Sequence, residues 1–165
     1  MAAVQAMCDS FKLELLSCYH CFTAPTLTSG TRAADGFKIA LYTSSSTMNF
    51  GTTAYSTTNE ITNTSGSAYV AGGQTLVGAV PGSNSPQASG ATVGTVWMDW
   101  TTDPSWGSAT FTANSALIYN STQLLTGNGR AVCVLAFGSD KTATAGTFTI
   151  QFPTADATNA LIRFV

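Results

Sequence analysis

The chain has 165 residues, of which 8% are charged, against roughly 25% in an ordinary soluble domain, and 27 Thr, 17 Ser and 15 Gly fill the places that charges leave. Six Lys and Arg against eight Asp and Glu give a net charge of −2, which excludes partners recognised by a basic field, nucleic acid and anionic membrane among them. A hydrophobic fraction of 44% excludes a disordered chain, and the length suits a single domain with one core.

No apolar run approaches the ~20 residues of a membrane span, and the start, Met1 to Cys8, lacks the basic and apolar regions of a signal peptide. The expectation is synthesis in a cytosol, with the four cysteines Cys8, Cys18, Cys21 and Cys133 made as thiols.

The first element expected is a helix over residues 3–16. Val4, Met7, Cys8, Phe11 and Leu15 recur at helical spacing on one apolar face, with Gln5, Asp9, Lys12 and Glu14 mostly off it. Residues 18–36, with Pro25 and Gly30, read as loop with a short extended stretch. The amino-terminal helix and loop arm over 1–36 therefore precedes a β region over 37–165, within one domain overall.

From Phe37 the period changes to two. Strands are expected over Phe37–Thr43, Thr75–Val80, Val93–Trp100, Ser115–Asn120, Ala131–Phe137, Thr147–Phe152 and Ala160–Val165. Asn128-Gly129 is the strongest hairpin signal, between Tyr119 and Val132. Short strands separated by turn residues predict a mainly β fold, an antiparallel β-sandwich or jelly-roll-like domain with one amino-terminal α-helix. Thr43–Gly73 and Gly82–Gly94 read as long mobile loops, or as arms ordered against a neighbour.

The chemistry is sparse. His20 is the one histidine, so any His-based triad must use it, and no G-x-S-x-G elbow, G-x-G-x-x-G or Walker loop occurs. Asp99 and Asp103, near Trp97, Trp100 and Trp106, mimic a paired-acid sugar site. Yet alternation along a strand puts Trp97 and Trp100 on opposite faces. Cys18-x-x-Cys21 with Cys8 and His20 offers four zinc-type ligands, but His20 lies between the two cysteines, where a chelate is cramped. The plainer expectation is no cofactor and no metal. Cys133 then packs as a small hydrophobe in a core strand, Cys8 lies on the apolar face of the helix, and Cys18 and Cys21 are partly exposed thiols.

Several stretches carry a likeness: Asp9-Ser-Phe-Lys12 with Leu15-Leu16, Phe37-Lys-Ile-Ala-Leu-Tyr-Thr-Ser-Ser45, Tyr55-Ser-Thr-Thr-Asn-Glu-Ile61 and Tyr69-Val-Ala-Gly-Gly-Gln-Thr-Leu76. It continues through Ala109-Thr-Phe-Thr112, Ala116-Leu-Ile-Tyr-Asn120, Ala131-Val-Cys-Val-Leu-Ala-Phe-Gly138, Gly146-Thr-Phe-Thr-Ile-Gln-Phe152 and Asp156-Ala-Thr-Asn-Ala-Leu-Ile162. In these the chain resembles a family of small virion structural proteins of tailed bacteriophages. The family pattern after the helix is similar to Gly-x-His-x-Phe; here it is Cys18-Tyr-His-Cys-Phe22. His20 and Phe22 are kept, and the flanking cysteines are an addition of this chain, which speaks against a shared metal site.

The resemblance, together with a charge-poor surface suited to packing in a lattice, implies a non-enzymatic capsid decoration or cement protein. It would be made in the host cytoplasm and placed on the capsid surface. Its partners would be the major capsid protein and copies of itself, as trimers, with no nucleic acid and no membrane. Cys18 or Cys21 would form an intersubunit disulfide, and Phe11, Leu15, His20, Phe22 and Trp106 would contribute to the assembly interface. The alternative is a tail, baseplate or fibre component in which an exposed Trp106 and the hydroxyl-rich loops touch host glycan. An enzyme such as a cell-wall hydrolase, acting through His20 or Asp99, stands behind both.

Overall fold

A computed structural model describes residues 2–27, 30–62, 68–84 and 94–165. Along these run β1 (Ala6–Met7), α1 (Asp9–Leu16), β2 (Thr26–Leu27), β3 (Gly30–Thr31), β4 (Phe37–Tyr42), β5 (Gln74–Leu76), β6 (Ala79–Ser83), β7 (Val96–Trp100), β8 (Ser105–Leu125), β9 (Asn128–Thr149) and β10 (Ile162–Phe164). The fold is mainly β, with two larger antiparallel sheets and one short helix. One sheet has the order β1-β9-β8-β4-β5 and the other β10-β7-β6, while β2 and β3 pair only with each other. Among the described residues no helix is long and apolar enough to cross a membrane.

The helix is shorter than its periodicity predicts. Ala6 and Met7 pair with Val134 and Cys133 of β9, so the start of the apolar pattern is spent on a sheet edge and the helix begins at Asp9. Apolar residues every third or fourth position satisfy both arrangements over so short a span, and the tertiary pairing decides. Val4 is then exposed, Leu15 half-buried, and Glu14 buried in its place.

The helix ends in a Schellman turn. Tyr19 N–H bonds to Glu14 O (3.0 Å), and Cys18 N–H to Leu15 O (3.2 Å). Cys18 takes the left-handed conformation at φ +59°, the place where glycine is usual.

Strands β8 and β9 form one long hairpin. Its inner half, from Ser115 to Asn120 against Arg130 to Ala136, is central to the larger sheet. Residues 115–120 and 131–135 are buried on both faces, which explains their continuous apolar run. Its outer half is a two-stranded ribbon, Ser105–Ala113 against Lys141–Thr149. There Trp106, Ala109, Phe111 and Ala113 point into the core while the residues between them are exposed. A bulge at Ser108 (φ +51°) resets the alternation.

The hairpin turn lies at Thr126-Gly127, whose φ angles are +51° and +86°, and Leu125 pairs with Asn128. Asn128-Gly129, expected at the turn, instead opens β9. Gly129 is required for a different reason: a Cβ there would stand 2.4 Å from the Tyr119 ring and 2.7 Å from Asn120 O.

The expected strand at Thr75–Val80 divides, β5 joining one sheet and β6 the other. Thr147–Thr149 belongs to β9, and Ile150 and Phe152 lie beyond it. Of Thr43–Gly73, the described residues fold back on the sheet: Tyr42 bridges Glu60, and Ala54 bridges Arg130. Most of Gly82–Gly94 lies outside the described residues, as do Thr28, Ser29 and residues 63–67.

One core contains residues of both larger sheets and of the amino-terminal segment, Ala3, Cys8 and Phe11 among them. Trp100 of β7 meets Phe37 of β4 at 5.8 Å between ring centroids. A second aromatic group joins Tyr69, Trp106, Phe111 and Phe148 under the ribbon. Each such ring removed from water contributes on the order of 2 kcal/mol.

Candidate functional site: the amino-terminal polar cluster

The residues singled out around the helix converge on a buried polar cluster rather than on a surface. Glu14 comes from α1, His20 from the turn after it, Asp35 from the approach to β4, Asn120 from β8 and Arg130 from β9. His20 is 8% exposed and Asn120 fully buried.

Its hydrogen bonds fix the protonation pattern. Asn120 Oδ1 accepts from the backbone N–H groups of Thr122 and Gln123, both at 3.0 Å. Its amide Nδ2 therefore faces Asp35 Oδ2 (2.9 Å) and His20 Nδ1 (3.0 Å). A donor facing Nδ1 makes that nitrogen an acceptor, so the imidazole proton sits on Nε2 and is donated to Glu14 Oε2 at 2.8 Å. Burial pushes the His20 pKa below its ordinary value, outweighing the upward pull of Glu14 and Asp35. The neutral ring that the geometry requires is the one the surroundings favour.

Arg130 Nη1 donates to Glu14 Oε1 at 2.5 Å, and its guanidinium lies 4.2 Å from the Tyr19 ring centroid. Burial acts to raise the Asp35 carboxyl, but hydrogen bonds from Asn120, the Cys21 N–H and Gln123, with Arg32 alongside, hold it below the usual range. Arg32 also donates to Cys18 O and Tyr19 O. The chain around Ser121–Gln123 is bulged out of the ladder and tied to Gly36 through Ser121 and Thr122. The cluster clamps the turn after the helix, the approach to β4 and the tip of the long hairpin into one unit.

Chemically this is a holding arrangement. Both imidazole nitrogens and both Glu14 oxygens are engaged, and Cys21 Sγ donates to Thr23 O. Among the described residues no three His, Cys, Asp or Glu side chains converge to hold a metal ion. All four cysteines are free thiols: Cys8, Cys21 and Cys133 are buried and Cys18 is exposed. Cys21 is thus more enclosed than expected, and of the C-x-x-C pair only Cys18 is presented to a neighbouring molecule.

The expected interface residues mostly lie in the core. Phe11 is fully buried and Trp106 is 4% exposed. Phe22 stacks on Phe37 at 4.5 Å, and Leu15 is half-buried against the core. Periodicity identifies such residues as apolar and special without distinguishing a subunit's own core from an interface. The exposed apolar side chains nearby are others: Val4, Leu13, Leu16, Tyr19 and Phe50. Glu14 and Asn120, which organise the cluster, gave weak signals: an acid beside an apolar helix face and an amide ending an apolar run.

The carboxylates near the tryptophans are separated from one another in role. Asp99 is fully buried, its oxygens accepting from Trp100 N–H (2.8 Å) and Leu161 N–H (2.9 Å). Burial raises its pKa. Asp103 caps Phe152 N–H at 2.8 Å. Glu60 forms a second satisfied cluster, accepting from Tyr55 and Tyr69 hydroxyls and Gly72 N–H.

Comparison of the chain with protein-family models, with curated proteins and with solved structures gives no match.

Proposed function

We propose that this chain is a structural subunit of a tailed-bacteriophage virion, a decoration or cement protein that binds the major capsid protein and copies of itself. The proposal takes the two sheets as the faces of a sandwich, and jelly-roll connectivity as its finer form. The observation that carries it is the ribbon of β8 and β9: a long, charge-poor, hydroxyl-bearing structure anchored in the core, with Ser105 bonded to Thr149 and Thr112 to Thr142 across its exposed face. The clusters that hold the chemically capable groups are spent internally, and the exposed ribbon supplies contact area. A surface that offers hydroxyls and few charges packs against copies without accumulating repulsion.

Copy number per particle tests the reading. Hundreds of copies on the head, and loss of heat or pressure tolerance in particles lacking the protein, are the expected results; label confined to the tail defeats it. The tail or fibre alternative loses Trp106, which lies in the core, and keeps only its hydroxyl-rich loops as a glycan contact.

A further inference from the structure

Strand β9 is covered along its outer edge in only one part. Thr53 and Tyr55 bond to Ala131 N–H and Gly129 O, Cys8 N–H bonds to Val132 O, and β1 pairs with Cys133 and Val134. Beyond Val134 no strand among the described residues lies on that side. The ribbon segment Lys141–Thr149, sequence Lys-Thr-Ala-Thr-Ala-Gly-Thr-Phe-Thr, therefore presents a row of main-chain groups outward. Each unmatched N–H or C=O accepts a strand at little cost, because no side chain has to be ordered to make the bond.

Edges of this kind are normally guarded by prolines, several lysines or an inward charge. This one has no proline and a single charge, Lys141, at its end. Its bulge at Ala145 (φ +49°) is answered inside the ribbon, where Ala145 N–H donates to Thr110 Oγ1. Phe137, Phe148 and Ile150, with Lys141 and Thr149, line a shallow apolar concavity beside the edge, which an added strand would cover.

We infer that the β9 edge over Lys141–Thr149 is a self-recognition surface, on which the same edge of a second copy pairs antiparallel about a twofold axis. The low net charge permits this occupant, and the placement of Lys141 selects the sense. With a net charge of −2 two copies repel weakly. Antiparallel pairing centred on the segment sends the two Lys141 side chains to opposite ends, about 26 Å apart at ~3.3 Å per residue, whereas parallel pairing stacks lysine on lysine. The β8 edge of the ribbon is the poorer choice: Gln74 occupies Ser105 through two hydrogen bonds.

The inference deepens the assembly reading and takes its partner from it, and purified chain without capsids separates the two. Sedimentation of the full chain is expected to show a concentration-dependent dimer, with slow amide exchange over 141–149 that becomes fast on dilution. Thr144→Lys with Thr147→Lys is expected to weaken association about tenfold or more, with the thermal midpoint unchanged. Leu13→Lys with Leu16→Lys, on the exposed face of α1, is expected to leave association intact. A chain monomeric at every concentration overturns the inference, as does a dimer whose 141–149 amides exchange freely or one lost only in the α1 variant. The exchange measurement uses the unaltered chain and decides even if the lysine variant misfolds. Shell binding by a monomeric chain would leave the assembly reading standing without this edge, and dimers that ignore shells would do the reverse.

Discussion

His20 is held neutral by burial, and a single amide keeps its proton on Nε2. Asn120 cannot turn over without leaving Thr122 and Gln123 N–H groups unmatched, so a proton arriving at His20 Nδ1 meets a donor. The folded pKa lies below the ordinary 6.5, so the unfolded chain binds the proton first. The contribution to stability is whole above that value and falls as pH drops below it. Denaturant unfolding between pH 7.5 and 5 is expected to show stability declining with acid, and His20→Gln is expected to flatten that slope; an unchanged slope in the variant would remove His20 as its source. Cys18 offers a second test. A side chain at φ +59° carries a penalty glycine lacks, so Cys18→Gly is expected to stabilise the chain by about 0.5–1 kcal/mol. A loss of stability would mean that the thiol contributes more than its backbone costs.

At the scale of elements, the long hairpin shows how much local pattern reveals. Its apolar inner half was visible as two runs, because burial on both faces leaves only apolar residues. Its continuity was not: the expected strands Ser115–Asn120, Ala131–Phe137 and Thr147–Phe152 stand apart in the sequence, whereas β8 and β9 run through register shifts at Trp106/Ala109, Ala109/Phe111 and Ala113/Ser115. The turn is misplaced by two residues for a related reason. Asn-Gly is the commoner turn dipeptide, but Thr126-Gly127 takes the positive φ angles, and Gly129 is needed where β9 passes the Tyr119 ring. Gly129→Ala is therefore expected to cost roughly 1–3 kcal/mol from overpacking, and Gly127→Ala, open around its Cβ but at φ +86°, only about 1 kcal/mol. Thermal midpoints of the two variants order them; equal shifts would count against the contact with Tyr119. The polar cluster was the least legible feature, since it joins groups from five segments whose proximity only the fold creates.

For the molecule as a whole, the amino-terminal segment is part of the core rather than an arm laid upon it. Phe11 contacts His20 and Phe22, and through Phe22 and Phe37 the chain of rings reaches Trp100 in the other sheet. Under the ribbon, Trp106 meets Tyr69 and Phe148. Trp106→Ala is expected to cost about 3–5 kcal/mol, measured by denaturant unfolding; a near-neutral result would place that ring at a surface.

The thiols are distributed over three depths: Cys18 in solvent, Cys21 beneath the clamp, Cys8 and Cys133 in the core. Burial pushes the Cys8 thiol up to about 12 and Cys133 further, so neither is a nucleophile while folded. The chain thus carries its own clock of opening. A thiol reagent added to the native protein is expected to take Cys18 at once, Cys21 at the rate at which the clamp breathes, and Cys8 and Cys133 together, only as often as the whole core opens. Mass spectrometry of a labelling time course reads the three rates, and Cys8 reacting as fast as Cys18 would show that β1 does not hold. Inside a particle the same measurement would show which of these openings a neighbour suppresses.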